Sequence, residues 1–226
     1  MTDERSTSIA WPLWRLGGFD LDGTLVYGTT VLKHVGKHLG QERTVAELVE
    51  GYESFQLSNR EVSTEGARLF RGLLRRDLLA LMDDIPHLHD VGDSIAELRS
   101  IGIHCAVATV TFDFASEWFM SNYGFDSYSG IELEFDSSGR ATGEVQRHVD
   151  EFDKASFVRS KALEISVDLS QVFYIGDSRS DLPTFKLAGY AVALNGTPDA
   201  VSAAHASVVS DSLRDALLVV PGLLRR

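Results

Sequence analysis

The sequence predicts an α/β protein: a doubly wound parallel sheet core, helices on both faces, with a small inserted helical cap domain. Three observations predict it. After Pro86, short apolar runs alternate with segments of helical periodicity, the pattern left by parallel strands joined through crossover helices. Two of the apolar runs lead straight into acids, Trp14 to Phe19 into Asp20 and Val172 to Ile175 into Gly176-Asp177, and open parallel sheets carry their chemistry at the carboxyl ends of their strands. Between the first such strand and the rest lie three helical patterns in a row, too many for one strand-helix-strand crossover.

Taken in order, residues 1–15 read as a flexible N-terminal tail, residues 16–27 and 86–226 as the core, and residues 28–85 as the cap. The first strand ends at Phe19. Val31, Leu32, Val35 and Leu39 recur at helical spacing, and Gly40 stops them. Further cap helices are expected over 45–55 and 64–82. The core resumes with a helix over 91–99, a strand over 103–110 and a helix over 114–123 closed by Gly124. A hairpin is expected over 131–145 about Ser137-Ser138-Gly139. A helix over 152–165, a strand over 172–175, a helix over 182–188, strands at 190–194 and 207–209 and a helix over 213–219 complete the chain.

At 226 residues the chain can bury one substantial core. Its net charge of −12 argues against a grip on nucleic acid, which needs clustered Lys and Arg. A small anionic substrate remains compatible, because a local cation can reverse the potential inside a cleft. Cys105 is the only cysteine; it sits in an apolar run, as core filler, and a reducing, cytoplasmic setting is expected. No apolar stretch reaches membrane-spanning length, so no membrane partner is expected, and the oligomeric state is open.

The densest chemistry lies in Phe19-Asp20-Leu21-Asp22-Gly23-Thr24-Leu25-Val26. Two carboxylates crowded at a strand end repel unless a cation sits between them or one keeps a proton. The plain alternative is an Asp-rich turn. This stretch resembles the first motif of the haloacid dehalogenase-like superfamily, and three more matches follow in order. Thr109, in Val107-Ala108-Thr109-Val110-Thr111-Phe112, stands where the second motif places a hydroxyl for a phosphoryl oxygen; Val110 and Thr111 replace two glycines of the phosphoserine phosphatase branch. Lys154, 23 residues before Asp177, matches the cationic third motif, with Lys161 as its rival. Gly176-Asp177 and Asp181 match the fourth, with Ser180 where that branch often has Asn.

The resemblance implies a Rossmann-like core and a Mg²⁺-dependent phosphatase acting on a small phosphomonoester. It implies Asp20 as nucleophile, Asp22 as acid/base, and Asp20, Asp22 and Asp177 as the source of the metal ligands. Thr109 and Lys154 would hold the phosphoryl group. Asp181 would orient a metal-bound water or Lys154, or cap the helix that begins at Leu182-Pro183. For the substrate, counting back from Gly92 places Arg68 where that branch meets a carboxylate, with Arg71, Arg75 and Arg76 as neighbours; Thr29 falls where it has a Glu for the substrate amine. Val110 would border the substrate. Phosphoserine is therefore one candidate beside amine-free phosphomonoesters. A phosphotransferase or mutase of the same superfamily, and a non-catalytic binding protein on the same fold, are the other readings. His34 and His38 face one side of a helix, but the sequence offers them no third ligand; His87 and His89 read as hinge or surface, and Glu132 and Glu134 as a solvated face.

Overall fold

The computed structural model describes residues 14–224. Residues 1–13 of the expected tail lie outside the described residues, but Trp14 is not tail. It is 5% exposed, its indole N–H donates to the Pro221 carbonyl at 2.8 Å, and its ring meets Phe173 and Tyr190 edge-on.

The first strand, β1 (Leu16–Phe19), is followed by four helices rather than the three expected: α1 (Val31–His38), α2 (Glu42–Glu53), α3 (Asn59–Leu69) and α4 (Arg75–Ala80). Gly72, at φ +84°, turns the chain left-handed between the last two. Its N–H donates to Ala141 O and Leu73 O accepts from Ala141 N–H, so the intervening backbone pairs with a hairpin strand instead of continuing as helix. The start of α3 lies five residues before its expected position. Ser58 and Glu61 form a reciprocal capping box there, a signal present in the sequence.

From α5 (Val91–Ser100) onward strand and helix alternate: β2 (His104–Val107), α6 (Asp113–Tyr123), β3 (Ser127–Tyr128), the hairpin β4 (Glu132–Phe135) and β5 (Ala141–Arg147), α7 (Glu151–Glu164), β6 (Val172–Gly176), α8 (Leu182–Leu187), β7 (Tyr190–Leu194), α9 (Pro198–Ala203), β8 (Ala206–Val208) and α10 (Leu213–Leu218). The two-residue β3 and the short α9 were not expected; both are too short to show a period. The main sheet runs β3-β2-β1-β6-β7-β8 with every pairing parallel. Alternate strand residues feed two apolar layers. Cys105, Val107, Phe173 and Ile175 join α5, α6 and α10 on one face, while Ala106, Val172 and Tyr174 join α7, α8 and α9 on the other. Cys105 is fully buried, and burial pushes its thiol up. No helix among the described residues is long and apolar enough to cross a membrane.

His87 is neither loose hinge nor surface. Its ring packs among Trp118, Phe119 and Tyr123, with Nδ1 2.7 Å from Ile85 O and Nε2 2.5 Å from the Tyr123 hydroxyl. His34 and His38 do acquire a third group: Asp84 Oδ1 lies 3.2 and 3.1 Å from their Nε2 atoms, and His34 Nε2 is also 2.8 Å from Leu81 O. This cluster ties α1 to the turn after α4.

The Gly17-Gly18 pair in β1 has a packing reason. The two residues pair with Phe173 and Tyr174 of β6, and a Cβ on Gly18 would stand 2.6 Å from the Tyr174 ring. Gly18→Ala should therefore cost about 1–3 kcal/mol of stability through overpacking. Urea unfolding checks this; a loss below about 0.5 kcal/mol, the level of an ordinary surface change, would contradict the packing argument.

Candidate active site

β1 is the switch point of the sheet: the chain proceeds to β2 on one side of it and returns to β6 on the other. Asp20, the first residue beyond β1, sits in that crevice. Its N–H donates to Ile175 O at 2.9 Å, and Phe19 O accepts from Ala108 N–H at 2.8 Å. The carboxylate is thus aligned between the ends of β2 and β6, where Thr109 and Asp177 emerge.

Behind Asp20 lies Lys154, fully buried on α7. Its ammonium stands 2.9 Å from Asp20 Oδ1, 2.6 Å from Asp181 Oδ1 and 3.1 Å from Ser180 Oγ. Burial pulls the Lys154 pKa down, but the carboxylates of Asp181 and Asp20 more than reverse this and hold it above the ordinary lysine value. Asp181 is saturated. Besides Lys154 it accepts from the Tyr174 hydroxyl at 3.0 Å and from the N–H groups of Asp177 and Ser178 at 2.9 and 3.0 Å. Its side chain makes no capping bond to α8, although it occupies the N-cap position. Gly176 leaves the room it needs, since a Cβ there would stand 2.3 Å from the Asp181 carboxyl carbon. Lys161 lies apart, paired with Glu164 at 2.7 Å on the outer side of α7.

Asp22 Oδ1 accepts from Val31 N–H at 2.6 Å, at the N-terminus of α1, which Thr30 caps. Burial pushes the Asp22 carboxyl up, to about 6, against the opposing pull of Val31 N–H and the Thr111 hydroxyl. Thr109 is 1% exposed, and its Oγ1 accepts from Thr111 N–H at 3.3 Å, leaving the hydroxyl proton for another acceptor. Gly23, at φ +81°, lies so close to Asp177 that a Cβ would stand 2.3 Å from its carboxylate, and the Thr24 hydroxyl donates to Asp177 Oδ1 at 3.4 Å. The Gly-Thr turn therefore seats the fourth motif's acid against the first.

Three acids gathered around this point form a donor set without enough positive charge. One oxygen each of Asp20, Asp177 and Asp181 lie within 4.8 Å of one another. Burial pushes the carboxyls of Asp20 and Asp177 up, and repulsion from neighbouring carboxylates adds to it: Asp181 on Asp20, and Asp20 on Asp177. Asp20 Oδ1 is buried, and the Lys154 ammonium at 2.9 Å, which it shares with Asp181, is its one close polar neighbour among these groups. An all-oxygen set in which three carboxylates share one ammonium suits a small hard dication such as Mg²⁺. Asp181, with its bonds already made, fits the role of holding Lys154.

A cleft of about 180 Å³ opens in front of this group. Asp20, Asp22, Thr109, Val110, Thr111 and Asp177 form its floor. Leu32, Val49, Tyr52, Asn59, Val62 and Ser63, from the helices between β1 and α5, form the facing wall. Two expected substrate contacts are not there. Arg68 is on the exposed side of α3, bound by Glu65 at 2.6 Å, about 140° round the helix from Ser63, which faces the cleft. Thr29 does not line it either; its neighbour Thr30 does, and the Thr29 hydroxyl turns to Thr30 O at 3.4 Å. Asn59 was missed because the start of α3 was misplaced. Its amide donates to Val110 O at 3.2 Å and Val149 O at 2.7 Å, fixing the loop after β2. Arg179 does not line the cleft; its guanidinium stacks 3.9 Å from the Tyr52 ring centre and 4.2 Å from that of Phe55.

Removing a buried ammonium from between two carboxylates leaves uncompensated charge. Lys154→Ala should cost about 3–5 kcal/mol of stability, whereas Lys161→Ala, at an exposed pair, should change it by less than about 1 kcal/mol. Chemical denaturation of both variants checks this; similar losses would mean that burial of Lys154 does not set its energetics.

Comparison with known proteins agrees with this arrangement. A family model described as haloacid dehalogenase-like hydrolase matches residues 18–186. Phosphoserine phosphatase of Archaeoglobus fulgidus is 26% identical over 88% of this chain, and phosphoserine phosphatase SerB2 of Mycobacterium tuberculosis 27% identical over 96%. The chain spans only 58% and 53% of the length of those two proteins. Among solved structures, a haloacid dehalogenase family hydrolase of Salmonella enterica serovar Typhi superposes with a TM-score of 0.84 at 16% identity, covering 94% of this chain and 74% of that one. A phospho-aspartyl intermediate analogue of phosphoserine phosphatase gives 0.79 at 22% identity, covering 91% and 98%. With a matched segment that takes in all four acidic, hydroxyl and cationic motifs, the chain belongs to the haloacid dehalogenase-like hydrolases.

Proposed function

We propose that the protein is a Mg²⁺-dependent phosphatase that hydrolyses a small phosphomonoester through a phosphoryl group carried on Asp20. The observation that carries this reading is the placement of Asp20: a buried strand-end carboxylate with Lys154 at 2.9 Å behind it and the cleft, lined also by Asp22, Thr109 and Asp177, in front. Asp20 and Asp177 through their side chains, and Asp22 through its main-chain carbonyl, would hold Mg²⁺, which supplies positive charge against the phosphoryl oxygens. Asp20 attacks phosphorus in line while Asp22 gives its proton to the departing alkoxide. Asp22 then takes a proton from the water that attacks the acyl phosphate, releasing inorganic phosphate and restoring Asp20. A carboxyl poised near 6 suits both transfers. Lys154 and the Thr109 hydroxyl stabilise the charge spread over the phosphoryl oxygens.

In the same reading the helices over residues 28–85 act as a cap that excludes water and reads the leaving group. The relatives named above make phosphoserine the first substrate to compare. A phosphotransferase would use the same groups with a second hydroxyl in place of water, so release of inorganic phosphate without an added acceptor separates the two.

Hydrolysis of an aryl phosphate should require Mg²⁺ and fall by roughly a thousandfold or more in Asp20→Asn. Equal rates for the two proteins would sink the assignment of the nucleophile.

Metal binding should also be visible in stability. A carboxyl whose folded pKa is raised stabilises the fold least when it must ionise, so the metal-free protein loses stability as pH rises from about 4 through about 6 for Asp22, and beyond for Asp20 and Asp177. Mg²⁺ offsets that loss. The rise in Tm on replacing EDTA by Mg²⁺ should be larger at about pH 8 than at about pH 5; an equal rise at both would count against these acids as the ligands.

A further inference from the structure

The leaving-group side of the cleft has a chemical bias that its acidic floor makes sharper. Among the described residues, no lysine, arginine or histidine lines it; its charged lining groups are Asp20, Asp22, Asp177 and Glu53, all acids. Lys154 is fully buried behind Asp20 and already shared with Asp181. Arg179, two residues after Asp177, is engaged by two aromatic rings. The apolar lining of the cleft is Leu32, Val49 and Val62 on the facing helices and Val110, Phe112 and Ile131 on the core side. A substrate carboxylate placed there would leave water for an apolar surface, with no cation among the lining groups to receive it.

The polar groups on that wall are biased in the same sense. Asn59 spends its amide N–H groups on Val110 O and Val149 O, so the atom it has left is an acceptor, Oδ1. The Ser63 hydroxyl is taken up by Arg60 O at 3.0 Å and His148 Nδ1 at 2.9 Å. Glu53 lies 3.8 Å from Lys33, and this exposed pair brings little net charge to the cleft of either sign. An acceptor beside an apolar wall matches a hydroxyl or a hydrocarbon, neither of which brings charge.

We propose that the protein acts on phosphate monoesters of uncharged alcohols, and that the neutral cleft-facing positions Val49 and Val62 set this preference by withholding a cation from the leaving group. The proposal rests on the phosphatase reading above. It puts the discrimination on the facing helices α2 and α3, whereas the floor handles the phosphoryl group whatever it is attached to.

The test compares kcat/KM, with Mg²⁺, for glycerol phosphate, phosphoserine, phosphoethanolamine and an aryl phosphate. Glycerol phosphate should exceed phosphoserine by roughly tenfold or more, since a site without a partner for a charged group discriminates strongly. Val62→Arg, and Val49→Arg as a second variant on the other helix, should raise phosphoserine relative to glycerol phosphate by roughly tenfold, while Val62→Met, of similar polarity, should not. Phosphoserine as the best substrate of the unaltered protein overturns the proposal, and so does phosphoethanolamine, which would make Glu53 an amine site. Ratios unmoved in both arginine variants overturn the role given to Val49 and Val62. Failure to hydrolyse even the aryl phosphate would instead remove the phosphatase reading on which the proposal rests.

Discussion

An ammonium group cannot stay charged at zero exposure unless the fold brings carboxylates to it, and much of this structure follows from how that is done for Lys154. Asp181 is the anchor. It receives Lys154, the Tyr174 hydroxyl and two backbone N–H groups, so its two oxygens join α7, β6 and the loop that carries Asp177. Tyr174 can lie flat enough to reach it because Gly18, its partner across the strands, has no side chain. The second carboxylate at Lys154 is Asp20. A glycine inside β1, which weakens a strand in isolation, thus makes room for the ring that steadies the counter-ion of the lysine behind the nucleophile.

The parts that sequence reasoning located well are those where polar chemistry interrupts an apolar pattern. Asp20, Thr109 and Asp177 each follow a short buried run, and the parallel register then aligns the three strand ends. Lys154 was separable from Lys161 only by its distance from Asp177; in three dimensions the two differ by burial, one enclosed and one at solvent. The insertion was harder to read. Placing Arg68 depended on counting through helices, and each residue miscounted rotates a side chain by about 100°. The Ser58 to Glu61 capping box marks the start of α3 at Asn59, the phase that turns Asn59, Val62 and Ser63 toward the cleft. Asp84, which completes the cluster with His34 and His38, lies 46 residues from His38 in sequence, and no periodic pattern links them.

The net charge of −12 is compatible with an anionic substrate only because charge is distributed unevenly over depth. At the floor, carboxylates are crowded around one lysine and pushed toward protonation, an arrangement that a dication would relieve. At the wall, the lining is mostly apolar. On the proposed function, a phosphate and its leaving group would meet opposite environments: the first favoured by positive charge brought to the floor, the second by burial against hydrocarbon. In the proposed reading, selectivity for the alcohol would rest on wall residues such as Val49 and Val62, and handling of the phosphoryl group on the floor.

Floor and wall are nevertheless joined at named atoms. Val31 N–H, at the first turn of α1, holds Asp22 Oδ1; the Asn59 amide, at the first turn of α3, holds Val110 O beside Thr109; and the Tyr52 and Phe55 rings, at the end of α2, hold Arg179 two residues after Asp177. Each of the first three helices of the insertion therefore touches a different one of the core's motif loops. Swinging these helices away from the sheet would break all three contacts together and take from Asp22 its bond to Val31 N–H, leaving it the Thr111 hydroxyl, while Asp20, paired with Lys154 from behind, would keep its place. On the roles proposed above, the core alone holds Asp20 while α1 helps to hold Asp22, so proton transfer to a leaving group would be coupled to the seating of that helix.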